Sequence, residues 1–401
     1  MPALYFSIEK EALMPCEEHL MVGGKNRSLL IGIPEESDPC ENRIVLTPET
    51  VGILVRHGHK VLVEQGAGNS AGYTDLQYSE QGAYIVEHGE VYRADVLFKI
   101  NSPTIAETDL LKGDQLVFSF LQGYQLTEKY IRRLMDKRVT AISFDKVKDR
   151  FGYYPLVKMM SEIAGSVSIQ IAAEYLSKSS EGKGILLGGV SGVNPAEVVI
   201  IGSGTAAEFA ARSALGLGAL VRIFDNSVHR LQRIQSSIGQ RLYTSVMHPQ
   251  VVDKALASAD VVIGAFYTNE HQYHHLLTEE MVTRMKQGAV IVDLSINQGG
   301  CCETSEICTL DKPVVCKHGV IHYCVPNVTS RVPRTASMAI SNIVSGMILE
   351  MGRQGSLSAW LRSDAGLRNG VYLLNGTLTD PHIGSLFRLP SQDIHLLMAA
   401  F

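Results

Sequence analysis

The 401-residue sequence contains no uninterrupted run of about 18 apolar residues, so nothing in it reads as a transmembrane helix. Its beginning lacks a basic segment followed by an apolar one, which excludes a recognisable secretory signal. Residues 1–28 read instead as an N-terminal extension. Cysteine is sparse, with seven in the chain, and five of them (Cys301, Cys302, Cys308, Cys316 and Cys324) fall within 24 residues. None is spaced as CxxC, and disulfide frameworks belong to short secreted chains, so these read as reduced thiols of a cytoplasmic protein with no metal site. Excess positive charge is also missing. The 36 Lys and Arg against 41 Asp and Glu give a net charge of −5, which argues against nucleic acid or an anionic membrane as partner. There is one tryptophan, Trp360, and it is assigned to packing.

What the chain has is apolar material for two cores, at 45% hydrophobic residues, arranged in a βαβ rhythm. Apolar runs at 29–34, 60–64, 96–100, 115–121 and 139–144 read as strands, with a helix over 48–57 that opens on Pro48 and stops at Gly58. A long helix is expected from about Ser161 to Ser177, then a glycine-rich turn region from Gly182 to Gly192. Strands follow at 198–201, 220–224, 261–265 and 289–293, and a last helix over 335–350 that ends before Gly352. The expected fold class is α/β, with two doubly wound parallel sheets.

The most specific local pattern is Gly202-Ser-Gly204-Thr-Ala-Ala207. It follows a four-residue apolar strand and opens an alanine-rich helix. Gly202 allows the tight turn, and Gly204 lets a pyrophosphate approach the backbone. Thr205 and Ala206 offer it the first helical N–H groups. Asp225 ends the next strand, 21 residues beyond Gly204, where a carboxylate accepts from the adenosine ribose hydroxyls. This is a Rossmann dinucleotide site, and the acid favours NAD, although Arg230 and His229 lie near enough to keep NADP open. Asp293 to Gly300 and Val325-Pro-Asn327-Val each follow a strand, which places Asn297 and Asn327 on the nicotinamide side, with Phe266 after the strand at 261–265.

Longer motifs carry a resemblance. Gly32-Ile-Pro-Glu, Glu41-Asn-Arg43 through Pro48, Gly66-Ala-Gly68, Met160-Ser161-Glu-Ile-Ala-Gly165 and Gly188 to Pro195 are similar, in order, to the alanine dehydrogenase and pyridine nucleotide transhydrogenase family. So are Asp293 to Cys301, His322 to Asn327 and Val332-Pro-Arg-Thr335. The match spans about 29–370, and the part after Gly182 resembles the alanine dehydrogenase branch more closely. The resemblance implies a substrate domain formed by 29–156 and 335–401, with the NAD-binding domain, 157–334, inserted in it. It also implies a homo-oligomer (hexamer or dimer), a small amino or keto acid as substrate, and NAD-dependent oxidative deamination of L-alanine to pyruvate and ammonia. Arg43 would hold the substrate carboxylate by a bidentate contact, and Ser161 would meet the nicotinamide end of the cofactor.

The family's amino-acid chemistry uses a lysine, a histidine and an aspartate. Here those positions are Asn101, Gln122 and Asn297. Amides hydrogen-bond but do not titrate near neutrality, so none can act as a base. Asn101 is placed as substrate-binding, and Gln122 and Asn297 as substituted catalytic positions. Lys99, Tyr124 and the His274-His275 pair are alternative bases. Two other readings stay open: a non-catalytic NAD(H)-binding or redox-sensing protein, and a dehydrogenase or reductase of another small substrate.

Overall fold

The computed structural model describes residues 27–121, 126–180, 182–266 and 275–399. The first six strands are β1 (Leu30–Ile33), β2 (Lys60–Glu64), β3 (Tyr84–Val86), β4 (Val96–Asn101), β5 (Leu116–Phe120) and β6 (Thr140–Ser143). The next seven are β7 (Glu197–Ile201), β8 (Leu220–Phe224), β9 (Tyr243–Ser245), β10 (Val261–Gly264), β11 (Val290–Asp293), β12 (Val314–Lys317) and β13 (Val320–Tyr323). The last two are β14 (Val371–Leu374) and β15 (Thr377–Leu378). They form two sheets. The first has the order β15-β14-β6-β5-β4-β1-β2-β3, and the second β12-β13-β11-β10-β7-β8-β9.

Both sheets are mostly parallel, as the sequence pattern suggested, with antiparallel strands at their edges. β14 runs antiparallel to β6 and to β15, and β12 antiparallel to β13. The connections explain two of these three pairings. β12 and β13 are separated by His318 and Gly319, both at positive φ, and β14 and β15 by Asn375 and Gly376, likewise. A two-residue connection of that kind makes a hairpin, whereas a parallel neighbour needs a long crossover.

Alternate residues of each central strand feed different cores. In β4, Val96, Phe98 and Ile100 pack on one face with Trp360 and the helix Pro333–Gln354, while Leu97 joins Tyr130, Leu134 and Tyr372 on the other. In β7, Val198 and Ile200 go to one side, and Val199 and Ile201 to the other. Strands buried on both faces read as continuous apolar runs, which is why these were visible in the sequence.

Two long helices carry the chain between the sheets. Pro155–Leu176 leads from the first to the second, and Pro333–Gln354 leads back. The former starts six residues before Ser161, because Pro155 takes the first helical position, where its missing N–H costs nothing. Ser161 therefore lies inside the helix, its Oγ donating to Val157 O at 2.8 Å. The latter continues past Gly352 to Gly355 at φ 70°. Gly352 is needed for contact and not for a stop, since a Cβ there would lie 2.6 Å from His59 Cε1.

β13 carries a buried polar chain. His322 Nδ1 lies 3.0 Å from Val320 O, a pure acceptor, so Nδ1 bears the proton. Nε2 then accepts from Thr304 Oγ1 at 2.7 Å, and that hydroxyl accepts from Cys302 Sγ at 3.0 Å. Burial lowers the pKa of His322 from its ordinary 6.5, so the folded protein keeps this ring neutral where the unfolded chain would protonate it. The stability that follows is complete above pH 6.5 and is lost as pH falls. Urea unfolding from about pH 7.5 to 5.5 should show a decline whose His322 share approaches about 1.4 kcal/mol per pH unit. His322→Gln should remove that share, and identical slopes in both proteins would rule out this chain as the cause.

Candidate functional site

In an open α/β sheet, ligands bind where the strand order reverses, beyond the carboxyl ends of the strands. The second sheet reverses between β7 and β10, which are direct neighbours. Gly202 follows β7 at φ 108°, and a Cβ there would stand 2.3 Å from Ala265 O and 3.2 Å from Phe266 N, just past β10. Only glycine fits that turn. Gly204 differs: its backbone is extended (φ −75°, ψ −172°), and a Cβ would meet nothing within 4 Å. The helix Thr205–Gly216 starts there, with no side chain capping it. Thr205 and Ala206 form its partly buried first turn. An uncapped helix N-terminus over an open glycine is a cradle for a phosphate group.

Asp225, 2% exposed, follows β8 beside this turn. Its Oδ2 accepts from Ser203 N at 2.9 Å and Ser203 Oγ at 2.7 Å, and its Oδ1 accepts from Ser227 N at 2.7 Å. Arg233 Nη2 donates to Ser203 O, and Arg230 Nη1 stands 4.0 Å from Asp225 Oδ2. The acid thus fixes the glycine turn, a role that spacing alone did not disclose. These residues fit a dinucleotide.

The loop after β11 is organised by Asp293. Its Oδ1 accepts from Ser295 N, and its Oδ2 from Cys301 N at 2.9 Å and Ser305 Oγ at 2.8 Å. Ser295 Oγ donates to Phe266 O at 2.6 Å, so this loop abuts the end of β10. Asn297 lies exposed in its 3₁₀ turn, Ile296–Gln298.

The first sheet reverses between β1 and β4, where the residues expected to meet substrate gather. Arg43, 6% exposed, gives its Nε and Nη2 to the two oxygens of Glu41 at 2.6 and 2.5 Å. Its Nη1 donates to Thr329 Oγ1 at 2.9 Å and lies 3.6 Å from Met160 Sδ. Asn101, 4% exposed, ends β4. Lys99 is buried with Nζ 2.7 Å from Glu107 Oε1 and 3.2 Å from Ser37 Oγ. Glu107 also accepts from Tyr92 and Ser37. Despite its burial, Lys99 and these hydroxyls hold its carboxyl down at about 2. Lys99, named from sequence as an alternative base, is thus bound to Glu107 and Ser37.

The two sets meet directly. Asn327 Nδ2 donates to Cys40 O at 2.7 Å, Asn42 N to Ser330 Oγ at 2.6 Å, and Asn42 Nδ2 to Ser330 O at 3.3 Å. Thr329 and Ser330 were not singled out from sequence, because hydroxyls in a loop carry no positional signal of their own. Gln122, Tyr124 and His274 lie outside the described residues, and His275 is exposed. Among the described residues no group of three His, Cys, Asp or Glu side chains is placed to hold a metal ion, and no helix is long and apolar enough to cross a membrane. Cys40, Cys301, Cys302, Cys308, Cys316 and Cys324 are free thiols.

A sheet that reverses at β7 and β10 over a glycine turn, with an acid after the next strand, defines the class of Rossmann-type dinucleotide-binding folds. The family model described as alanine dehydrogenase/PNT, N-terminal domain, matches residues 32–164, and the one for the C-terminal domain matches 168–381. The chain belongs to the alanine dehydrogenase/PNT family. It is 39% identical over 368 residues to alanine dehydrogenase of Staphylococcus saprophyticus, covering 91% of this chain and 99% of that one. It is 38% identical to alanine dehydrogenase 2 of Staphylococcus aureus, covering 91% and 98%. A solved L-alanine dehydrogenase superposes with a TM-score of 0.84 at 36% identity, over 89% of this chain and 99% of that one. A transhydrogenase from Sinorhizobium meliloti shares the fold, with a TM-score of 0.76 at 23% identity over 88% and 99%.

Proposed function

We propose that this protein is an NAD-dependent oxidoreductase of a small amino or keto acid, with L-alanine and pyruvate as its pair. The observation that carries the reading is the open cradle at Gly204 beside the buried Asp225, in a chain related to alanine dehydrogenases over nearly its whole length. NAD, when bound, supplies the hydride acceptor. The helix N-terminus at Thr205 would hold its pyrophosphate, and Asp225 its ribose, with Arg230 at the rim. Ser161, Phe266, Asn297 and Asn327 would border the nicotinamide end. Arg43 would orient the substrate carboxylate from its Nη1 side, and Asn101 would hydrogen-bond to the substrate.

In this reading, 29–156 and 335–401 form the substrate domain and 157–334 the inserted cofactor domain, which the membership of β14 and β15 in the first sheet supports. We place the protein in the cytoplasm as a homo-oligomer, hexamer or dimer.

A second reading, binding of NAD(H) without turnover, draws on Asn101 and Asn297, which cannot take a proton. One experiment separates the two. Purified protein is given NAD and L-alanine at alkaline pH and followed by NADH absorbance, beside NADH binding by fluorescence. Turnover at ordinary enzyme rates removes the second reading. NADH binding without turnover removes the first, and absence of binding removes both.

A further inference from the structure

Glu36 reaches across the reversal point of the first sheet. Its Oε1 accepts from Ile100 N at 2.6 Å, and its Oε2 from Asn101 N at 3.1 Å. In a regular strand successive N–H groups point to opposite sides, so one carboxylate cannot take both. β4 is irregular at this point. Its register with β5 slips between Phe98 and Asn101, where three steps along β4 match two along β5. Such a bulge breaks the ladder and re-aims the backbone. On its other edge, β4 pairs with β1 only at Val96 and Leu97. The Glu36 carboxylate therefore stands where a strand partner would be, and it fixes the segment that presents Asn101.

The charged surroundings of Glu36 are few. Lys99 Nζ is 4.0 Å from its Oε2 but is held by Glu107 at 2.7 Å. Among the described residues, the others acting on it are Glu41, already bound to Arg43, and Tyr92 with its partner Glu107. With its nearest cation engaged elsewhere, burial dominates and pushes the Glu36 carboxyl up to about 7.

We infer that Glu36 is a positioning residue, whose carboxylate holds the bulge at Ile100 and Asn101 in place for the substrate. Protonated, one of its oxygens becomes a hydroxyl that donates, so one backbone N–H loses its acceptor and the bulge loosens. The cofactor cradle lies in the other sheet and makes no use of Glu36. The inference rests on taking the end of β4 as the substrate end, but its test does not need turnover.

The first measurement is hydrogen exchange of the peptide spanning Ile100 and Asn101, corrected for intrinsic rates, at several pH values around neutrality. In the wild type, protection should fall by about five- to tenfold from alkaline to acidic pH, as one backbone hydrogen bond is lost. Glu36→Gln has one amide oxygen to accept and should stay at the low value throughout. Glu36→Asp, shorter but still titrating, should restore a pH dependence. The second measurement is the KM for pyruvate with NADH and saturating ammonium. It should rise as the wild type is acidified and be high and flat in Glu36→Gln, while NADH affinity is unchanged in both. Protection that is pH-independent in the wild type, or that titrates equally in Glu36→Gln, would overturn the inference. Titrating protection with no pyruvate turnover would instead count against the functional reading and leave Glu36 as assigned.

Discussion

Gly204→Val is expected to abolish NADH binding while leaving the fold intact. The backbone at Gly204 is extended, a conformation open to any residue, and a Cβ there has nothing within 4 Å. Gly204 is half-buried and stands at the helix N-cap, where valine is disfavoured, so stability should fall by only about 1 kcal/mol. The same empty space is where a pyrophosphate must approach the helix N-terminus, and two methyl groups would occupy it. An NADH dissociation constant raised about a hundredfold or more, about 2.7 kcal/mol, is the expected fluorescence result. Gly202→Ala is the contrasting case. At φ 108° with Ala265 O only 2.3 Å from the new carbon, it should lower thermal stability and binding together. A Gly204→Val protein that binds NADH like the wild type would show that the cofactor does not pass over this turn.

Restoring titratable groups at three positions should raise alanine oxidation by about a hundredfold or more, the usual contribution of a positioned general acid–base. The combined variant is Asn101→Lys, Gln122→His and Asn297→Asp, and the readout is kcat/KM for L-alanine. The single changes should behave differently. Asn101 is 4% exposed, so Asn101→Lys alone adds a cation to a buried position and should cost several kcal/mol of stability. Asn297 is exposed, and Asn297→Asp should cost little on its own. If the wild type already oxidises alanine at ordinary rates, or the combined variant gains nothing, then the amides at these positions are not what limits the chemistry.

The sequence disclosed the parts of this fold that are written in local pattern. β2 and β8 lie where the apolar runs placed them, and β1, β4 and β10 differ by a residue or two at an end. The turn at Gly202 could be read because its positive φ and crowded surroundings demand glycine, and Asp225 because it ends the next strand at a fixed spacing. Short edge strands escaped: β3 and β9 have three residues each and are partly exposed, too little for a periodicity to show. Distant pairings escaped as well. Glu36 meets Ile100 64 positions along the chain, and nothing local announces it. Lys99 could be named from sequence as an alternative base, but that it pairs with Glu107 followed only from the folded geometry.

The strand order of the first sheet also governs how the molecule is made. β6 is flanked by β5 on one side and by β14 on the other, and β14 begins 228 residues after β6 ends, 371 against 143. At usual synthesis rates that separation is about ten to forty-five seconds. Throughout that time, the nascent chain holds a nearly finished sheet with one bare edge, made of the wholly buried residues Thr140-Ala-Ile-Ser143. A bare apolar edge invites pairing with another chain. Translation of the intervening segment is thus the period of greatest exposure to aggregation, and chains truncated before Val371 should be the ones that chaperones retain.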